Sequence, residues 1–254
     1  RYTGAVCVVV TAHTVFDCTV GGGVGVGLVW SLVVGGQSSA SSADSTSYAA
    51  PSVASLSGTV ALSTAGGDTV LINGGNLGPL GTSGSDVAVV YGPSGTPAQF
   101  TASGCNVTIA HTRMSCVSVT GVGTIHGWTV SVGGQSSAVS YGSSVITSYL
   151  PPSISGVTIV GASTLNTSGG QSVVLTGSNF GPVGVGWNVV TGVYVSGLGV
   201  SYNAASCAVS TANTGIRALN EGINKNAGTM PSRIKVRATG SVAAYTRPAP
   251  PAYR

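Results

Sequence analysis

Apolar and polar residues alternate along this chain in short runs that stop at glycine. In "WTVSV" (128–132), Trp128, Val130 and Val132 fall on one face and Thr129 and Ser131 on the other. A period of two is the signature of a half-buried β-strand. Trp30, Leu32 and Val34 repeat the pattern, and both runs lead into a glycine pair, Gly133-Gly134 and Gly35-Gly36. Glycine supplies the positive φ of a tight hairpin without steric cost, so "GGQSSA" reads as a turn and the start of a return strand. Apolar runs never approach the 18 or so residues of a membrane helix, so no membrane span is expected in this segment. Helix signals are confined to "RALNEGINK" (Arg217–Lys225), a short stretch.

The hairpin motif occurs twice. "VGGQSSA" stands at 34–40 and again at 132–138, an offset of 98 residues. The match extends outward at the same offset: Trp30 over Trp128, Cys18 over Cys116, Ala12-His13-Thr14 over Ala110-His111-Thr112, and Cys7 over Cys105. A fainter third copy places "GDTVLINGGNLG" (67–78) over "GQSVVLTGSNFG" (170–181) at an offset of 103. A period of about 100 residues is the size of an autonomous domain, not of a solenoid unit. Prolines Pro51 and Pro151-Pro152 stand where one copy gives way to the next, which sets units at 1–50, 51–150 and 151–254. Residues 1–50 align only with the second half of a copy, so the chain is expected to begin inside a repeat. Either it is a piece of a longer protein or a neighbour supplies the missing half. Its opening "RYTGAVCVVV" does not read as a signal peptide.

About seven short strands per unit with glycine-rich turns predict an all-β fold of tandem immunoglobulin-like β-sandwich domains, beads on a string. The run from Pro152 to Ile154, Gly169-Gly170, "VVLTGSNFG" (173–181), a cysteine pair, Trp128 before "VSVGGQSS" and a closing Tyr/Pro stretch resembles the IPT/TIG domain. That is the immunoglobulin-like fold shared by plexins and transcription factors. The likeness spans half a copy, one full copy and a divergent third copy, in which Ala218 stands where the second cysteine falls and "VRATGSV" replaces "VGGQSSA". The resemblance implies cell-surface receptors, some DNA-binding members, and modules that accompany polysaccharide-active enzymes.

Cys7 with Cys18 and Cys105 with Cys116 are each 11 residues apart. That spacing joins two neighbouring strands, and its recurrence favours disulfides over a zinc site, for which only His13 and His111 lie close. Two bridges place the chain outside the reducing cytosol, extracellular or on a cell surface. Cys207 is expected to lie buried as a small hydrophobe or to join another chain. Sequons at Asn106–Thr108 and Asn166–Ser168 are acceptors for covalent N-linked glycan, and the hydroxyl-rich loop 38–47 suits O-linked sugar. Charged residues make up only 6% of the chain against roughly 25% in ordinary soluble domains, and glycan would compensate for that missing surface charge.

Catalytic constellations are absent from the pattern. The acids Asp17, Asp44, Asp68, Asp86 and Glu221 are dispersed, and His111 recurs at His13 in what reads as an ordinary strand. "GGGVGVG" (21–27) resembles a phosphate loop only by letter count, without a following helix or lysine. No cofactor and no enzymatic activity are expected. Seven of nine basic residues fall after position 216, but Arg233, Lys235 and Arg237 alternate along one strand without aromatic platforms, so nucleic acid is not the expected partner. The leading expectation is a structural glycoprotein whose repeats build a stalk, coat or filament by head-to-tail contact with other copies of itself. An adhesion or receptor ectodomain and a carbohydrate-binding module are the alternatives, the last weakened by an aromatic content of 6%.

Overall fold

The computed structural model describes residues 6–186, 188–197, 199–220, 231–238 and 241–246. Its elements are β-strands, with a single 3-10 turn at Gly84–Asp86 among the described residues. The fold is all-β.

Residues 6–50 supply β1 (Val6–Thr11), β2 (Val15–Thr19), β3 (Leu28–Val29), β4 (Val33–Val34), β5 (Gln37–Ser38) and β6 (Ser45–Thr46). They pair two by two: β1 with β2, β3 with β6, and β4 with β5. The alternation through Trp30, Leu32 and Val34 predicts one strand, yet the ladder breaks between Val29 and Val33. In the second unit the equivalent run is held straight by a neighbouring strand that the first unit does not contain.

The second unit contains β7 (Ser52–Gly58), β8 (Ala61–Leu62), β9 (Thr69–Gly75), β10 (Val87–Gly92) and β11 (Phe100–Thr101). It continues with β12 (Ser103–Ile109), β13 (Arg113–Val117), β14 (His126–Val132), β15 (Gln135–Ser136) and β16 (Ile146–Tyr149). One layer runs β12-β13-β9-β7; the other runs β11-β10-β14-β16-β8, with β15 added to β14. Val70, Ile72, Val107 and Met114 from the first layer meet Val89, Tyr91, Trp128 and Val130 from the second in one buried cluster. This is a β-sandwich, and the period-two pattern of β14 decides which face enters it: Trp128, Val130 and Val132 are buried while Thr129 and Ser131 are half-buried.

The third unit comprises β17 (Ser153–Ile159), β18 (Ser172–Ser178), β19 (Val190–Ser196), β20 (Ser201–Thr211), β21 (Gly215–Asn220), β22 (Pro231–Ala238) and β23 (Ser241–Thr246). Their order, β17-β18-β21-β20-β19-β22-β23, passes through β20, which runs unbroken where the second unit divides into β11 and β12. β20 bends at a bulge between Ala205 and Ala208, with Ser206 at φ 51, and pairs with β21 on one side and β19 on the other, so the seven strands form one continuous sheet.

Two readings of the sequence are corrected. Arg217 begins no helix: Gly215–Asn220 is β21, antiparallel to β18 and β20, because Ile216 and Ala218 alternate into the third unit's core. The remainder of that stretch, 221–225, lies outside the described residues. His13 and His111 are not strand residues. Each holds the left-handed position of a tight turn, at φ 66 and 63, where a non-glycine residue is uncommon and histidine is among those tolerated.

Candidate functional site

Where two units meet, the chain uses a Gly-Val-Gly loop. Val24 lies between Gly23 and Gly25, ahead of β3, and is 9% exposed although its own unit has little core. It is buried by the second unit, as part of the cluster that includes Leu62 and Val70. Its receptor is the turn after β9, "GGNLGP" (74–79). A β-carbon added at Gly78, φ 98, would lie 2.9 Å from Val24 Cγ1 and 2.8 Å from Thr82 Oγ1. Glycine is therefore required there twice over, by its backbone angle and by the valine it admits. Gly25 and Gly133 meet backbone to backbone, since a β-carbon on Gly133 would stand 2.5 Å from Gly25 N. Tyr48, Asn76, His111 and Gln135 line the crevice beside this contact.

The next junction reproduces it. Gly121-Val122-Gly123 stands 98 residues beyond Gly23-Val24-Gly25, and "GSNFGP" (177–182) stands 103 beyond "GGNLGP". Val122 is 3% exposed, and the space a β-carbon on Gly181 (φ 80) would need is filled by Val122 Cγ1. The asparagine of each receiving turn is left-handed, φ 56 at Asn76 and 60 at Asn179, and reaches back to the linker. Asn76 Nδ2 donates to Ala50 O at 3.0 Å, and Asn179 Nδ2 to Pro151 O at 3.1 Å. Backbone bonds around the turn also match: Leu77 N to His111 O and Phe180 N to Asn213 O, both 3.1 Å. The loop is an anchored plug and the turn is its socket.

The same fidelity holds inside the first unit. Trp30 Nε1 donates to Thr46 Oγ1 at 3.0 Å, as Trp128 Nε1 does to Thr147 Oγ1 at 3.0 Å. Tyr48 Oη donates to Gly21 O at 2.7 Å, and Tyr149 Oη to Val119 O at 2.7 Å. What differs is cover. Trp128 is 1% exposed and stacked on Tyr91, centroids 4.3 Å apart, whereas Trp30 is only half-buried. Trp30, aligned with Trp128 by the repeat, is less covered because the layer that covers Trp128 has no counterpart in residues 6–50.

Cys7 is bonded to Cys18 and Cys105 to Cys116, each pair joining the two arms of a hairpin. Cys207 lies outside both bridges; it is half-buried, its thiol faces Ala204 O at 3.6 Å, and burial raises its pKa. Asn106 is exposed on β12 beside Cys105, and Asn166 is exposed in the loop before β18. Asp68 is structural, its Oδ2 accepting Ser63 N at 2.6 Å. His126 lies inside the second sandwich, with ring centroids 5.4 Å from both Phe100 and Tyr149. Among the described residues no three His, Cys, Asp or Glu side chains cluster as metal ligands, and no helix is long and apolar enough to cross a membrane. Of the five aromatic residues of the second unit, Tyr91, Phe100, Trp128 and Tyr149 are buried and Tyr141 is half-buried. The plug was the feature that sequence reading passed over. Its signal was present: Gly-Val-Gly recurs at the repeat offset, as a loop selected for position does and a phosphate cradle need not.

No family model matches the chain, and no curated protein matches it. Solved structures of similar outline include SGBP-B from a complex xyloglucan utilization locus in Bacteroides uniformis. It shares 16% identity at a TM-score of 0.29, over 78% of this chain and 49% of that one. The plexin A4 extracellular region shares 16% identity at a TM-score of 0.28, over 78% of this chain and 17% of that one. The chain thus spans about half the length of the first and a sixth of the second, and superpositions this loose carry no functional argument.

Proposed function

We propose that the chain is a non-enzymatic structural segment of an extracellular or cell-surface glycoprotein, in which immunoglobulin-like units of the IPT/TIG kind join end to end into a stiff rod that serves a stalk, coat or filament. The observation that carries this reading is the joint. Flexible beads would be linked by exposed, polar segments with few contacts. Here each linker is gripped by an asparagine, and each junction seats a buried valine in a glycine socket, in the same way twice. An identical joint applied repeatedly gives each unit the same displacement and rotation relative to the last, which is how extended assemblies grow. Two disulfides suit an oxidising exterior. Exposed Asn106 and Asn166 suit N-linked glycan, whose hydroxyls would solvate a surface with few charges.

Small-angle X-ray scattering of the purified chain tests the rod. The expected profile is that of an extended body of fixed length, and Val24→Gly with Val122→Gly should shorten and broaden its distance distribution while circular dichroism stays unchanged. A flexible or collapsed profile in the parent chain would sink the proposal. Mass spectrometry of the native protein tests the glycan part separately: peptides spanning Asn106 and Asn166 without hexose would remove it.

A further inference from the structure

The first unit presents an open surface whose counterpart in the second unit is closed. Val9, Phe16, Leu32 and Val34 are 58, 39, 36 and 54% exposed; Val107, Met114, Val130 and Val132, each 98 positions later, are 1, 0, 0 and 2% exposed. The layer that closes the second unit is drawn from residues 51–98, including Leu62, Val70, Ile72, Val89 and Tyr91. Hydrogen-bonding edges are open at the same places. Arg113–Val117 pair with β9, and Gly127–Val132 pair with β10. The corresponding β2 pairs with β1 alone among the described residues, and β4 with β5 alone. An isolated two-stranded ladder is marginal in water, and an open edge beside an apolar face is a template for strand addition.

We infer that this face is a docking surface for a segment of the repeat's own first-half type. The occupant is a stretch with the pattern of residues 51–98, adding a strand like Thr69–Gly75 to β2 and one like Val87–Gly92 along Val29–Val34, with a tyrosine to stack on Trp30. A second copy of this chain is a poor source. Its own segment 51–98 is already closed upon Ser103–Tyr149, and Ser153–Ser178 is paired with the third unit's later strands. The proposal is independent of the rod, since the joints rest on Val24 and Val122 and this face on Val9, Phe16, Leu32 and Val34.

The test is to fuse a duplicate of residues 51–98 ahead of Arg1. With Trp128→Phe and Trp187→Phe leaving Trp30 as the only tryptophan, quenching of Trp30 by acrylamide should fall to the level shown by Trp128 in the parent chain. Because Trp128→Phe removes a core ring of the second unit, hydrogen exchange of residues 6–48 is followed in the fusion with all tryptophans kept. Protection there should rise by at least about tenfold. The same fusion carrying Leu62→Asp and Ile72→Asp in the duplicate should gain neither. If Trp30 and residues 6–48 respond no differently in the two fusions, the inference is overturned. It is overturned equally if the unfused chain dimerises at micromolar concentration and shields Trp30 unaided, for then a second copy is the occupant. Neither result bears on the scattering of the rod.

Discussion

His126 sits 1% exposed among Tyr91, Phe100 and Tyr149, and burial draws its pKa down from 6.5 to about 4. Neither ring nitrogen meets a partner at hydrogen-bond geometry; the backbone of Gly123 and Val122 opposes the shift but burial outweighs it. The folded value lies below the ordinary one, so as pH falls the unfolded chain takes up the proton first. Stability is therefore full above about pH 6.5 and declines until about pH 4, a loss on the order of 3 kcal/mol. Leu28 occupies the position 98 residues earlier, so His126→Leu is a substitution the repeat already accepts. Urea titrations should show the parent weakening between pH 7 and 4.5 and His126→Leu nearly flat over that window. A second prediction belongs to this scale. Ala218 is 4% exposed where the repeat pattern calls for the partner of Cys207, so Ala218→Cys should close a bridge over the same 11-residue spacing as the other two. It should stabilise the third unit by about 3 kcal/mol, read as a reductant-sensitive rise in melting temperature.

Among the elements, the two disulfide hairpins differ in what else holds them. β13 has β12 on one side and β9 on the other, while β2 has β1 alone among the described residues. Cys105–Cys116 therefore reinforces a four-stranded layer, whereas Cys7–Cys18 ties a ribbon with little other support. On reduction, amide protection should vanish from Val6–Thr19 first and persist in Ser103–Val117. Simultaneous loss in both hairpins would show that the first is supported as well as the second. The turns make a related point. Gly35-Gly36 and Gly133-Gly134 share φ values of 57 and 82, so a hairpin's geometry is decided by two local residues whether or not a sandwich surrounds it.

For the whole molecule, nine basic and five acidic residues in 254 leave few charge pairs for salt to screen. The thermal midpoint should change little between low and molar sodium chloride, unlike its response to pH through His126. A rise or fall of many degrees would mean that surface electrostatics matter more than this composition allows. The proposed stiffness, by contrast, would rest on apolar contacts at Val24 and Val122, each a single side chain, and would be open to change by point substitution.

The sequence by itself determined the local structure. Period-two alternation placed β14 and chose its buried face, paired glycines set the hairpins, and an 11-residue spacing repeated 98 positions later placed Cys7 opposite Cys18, because each of these depends on residues close along the chain. Tertiary structure alone decided the rest. Burial needs a partner surface, so Trp30 and Trp128, alike in sequence and in hydrogen bond, differ in exposure because only one is covered by a second layer. The left-handed turn at His13 and His111 was hidden in an apparently continuous strand, since a chain reversal there depends on pairing across the hairpin. The plug-and-socket joint was least visible, because Val24 and Gly78 are 54 positions apart and acquire meaning only when one unit is set against the next.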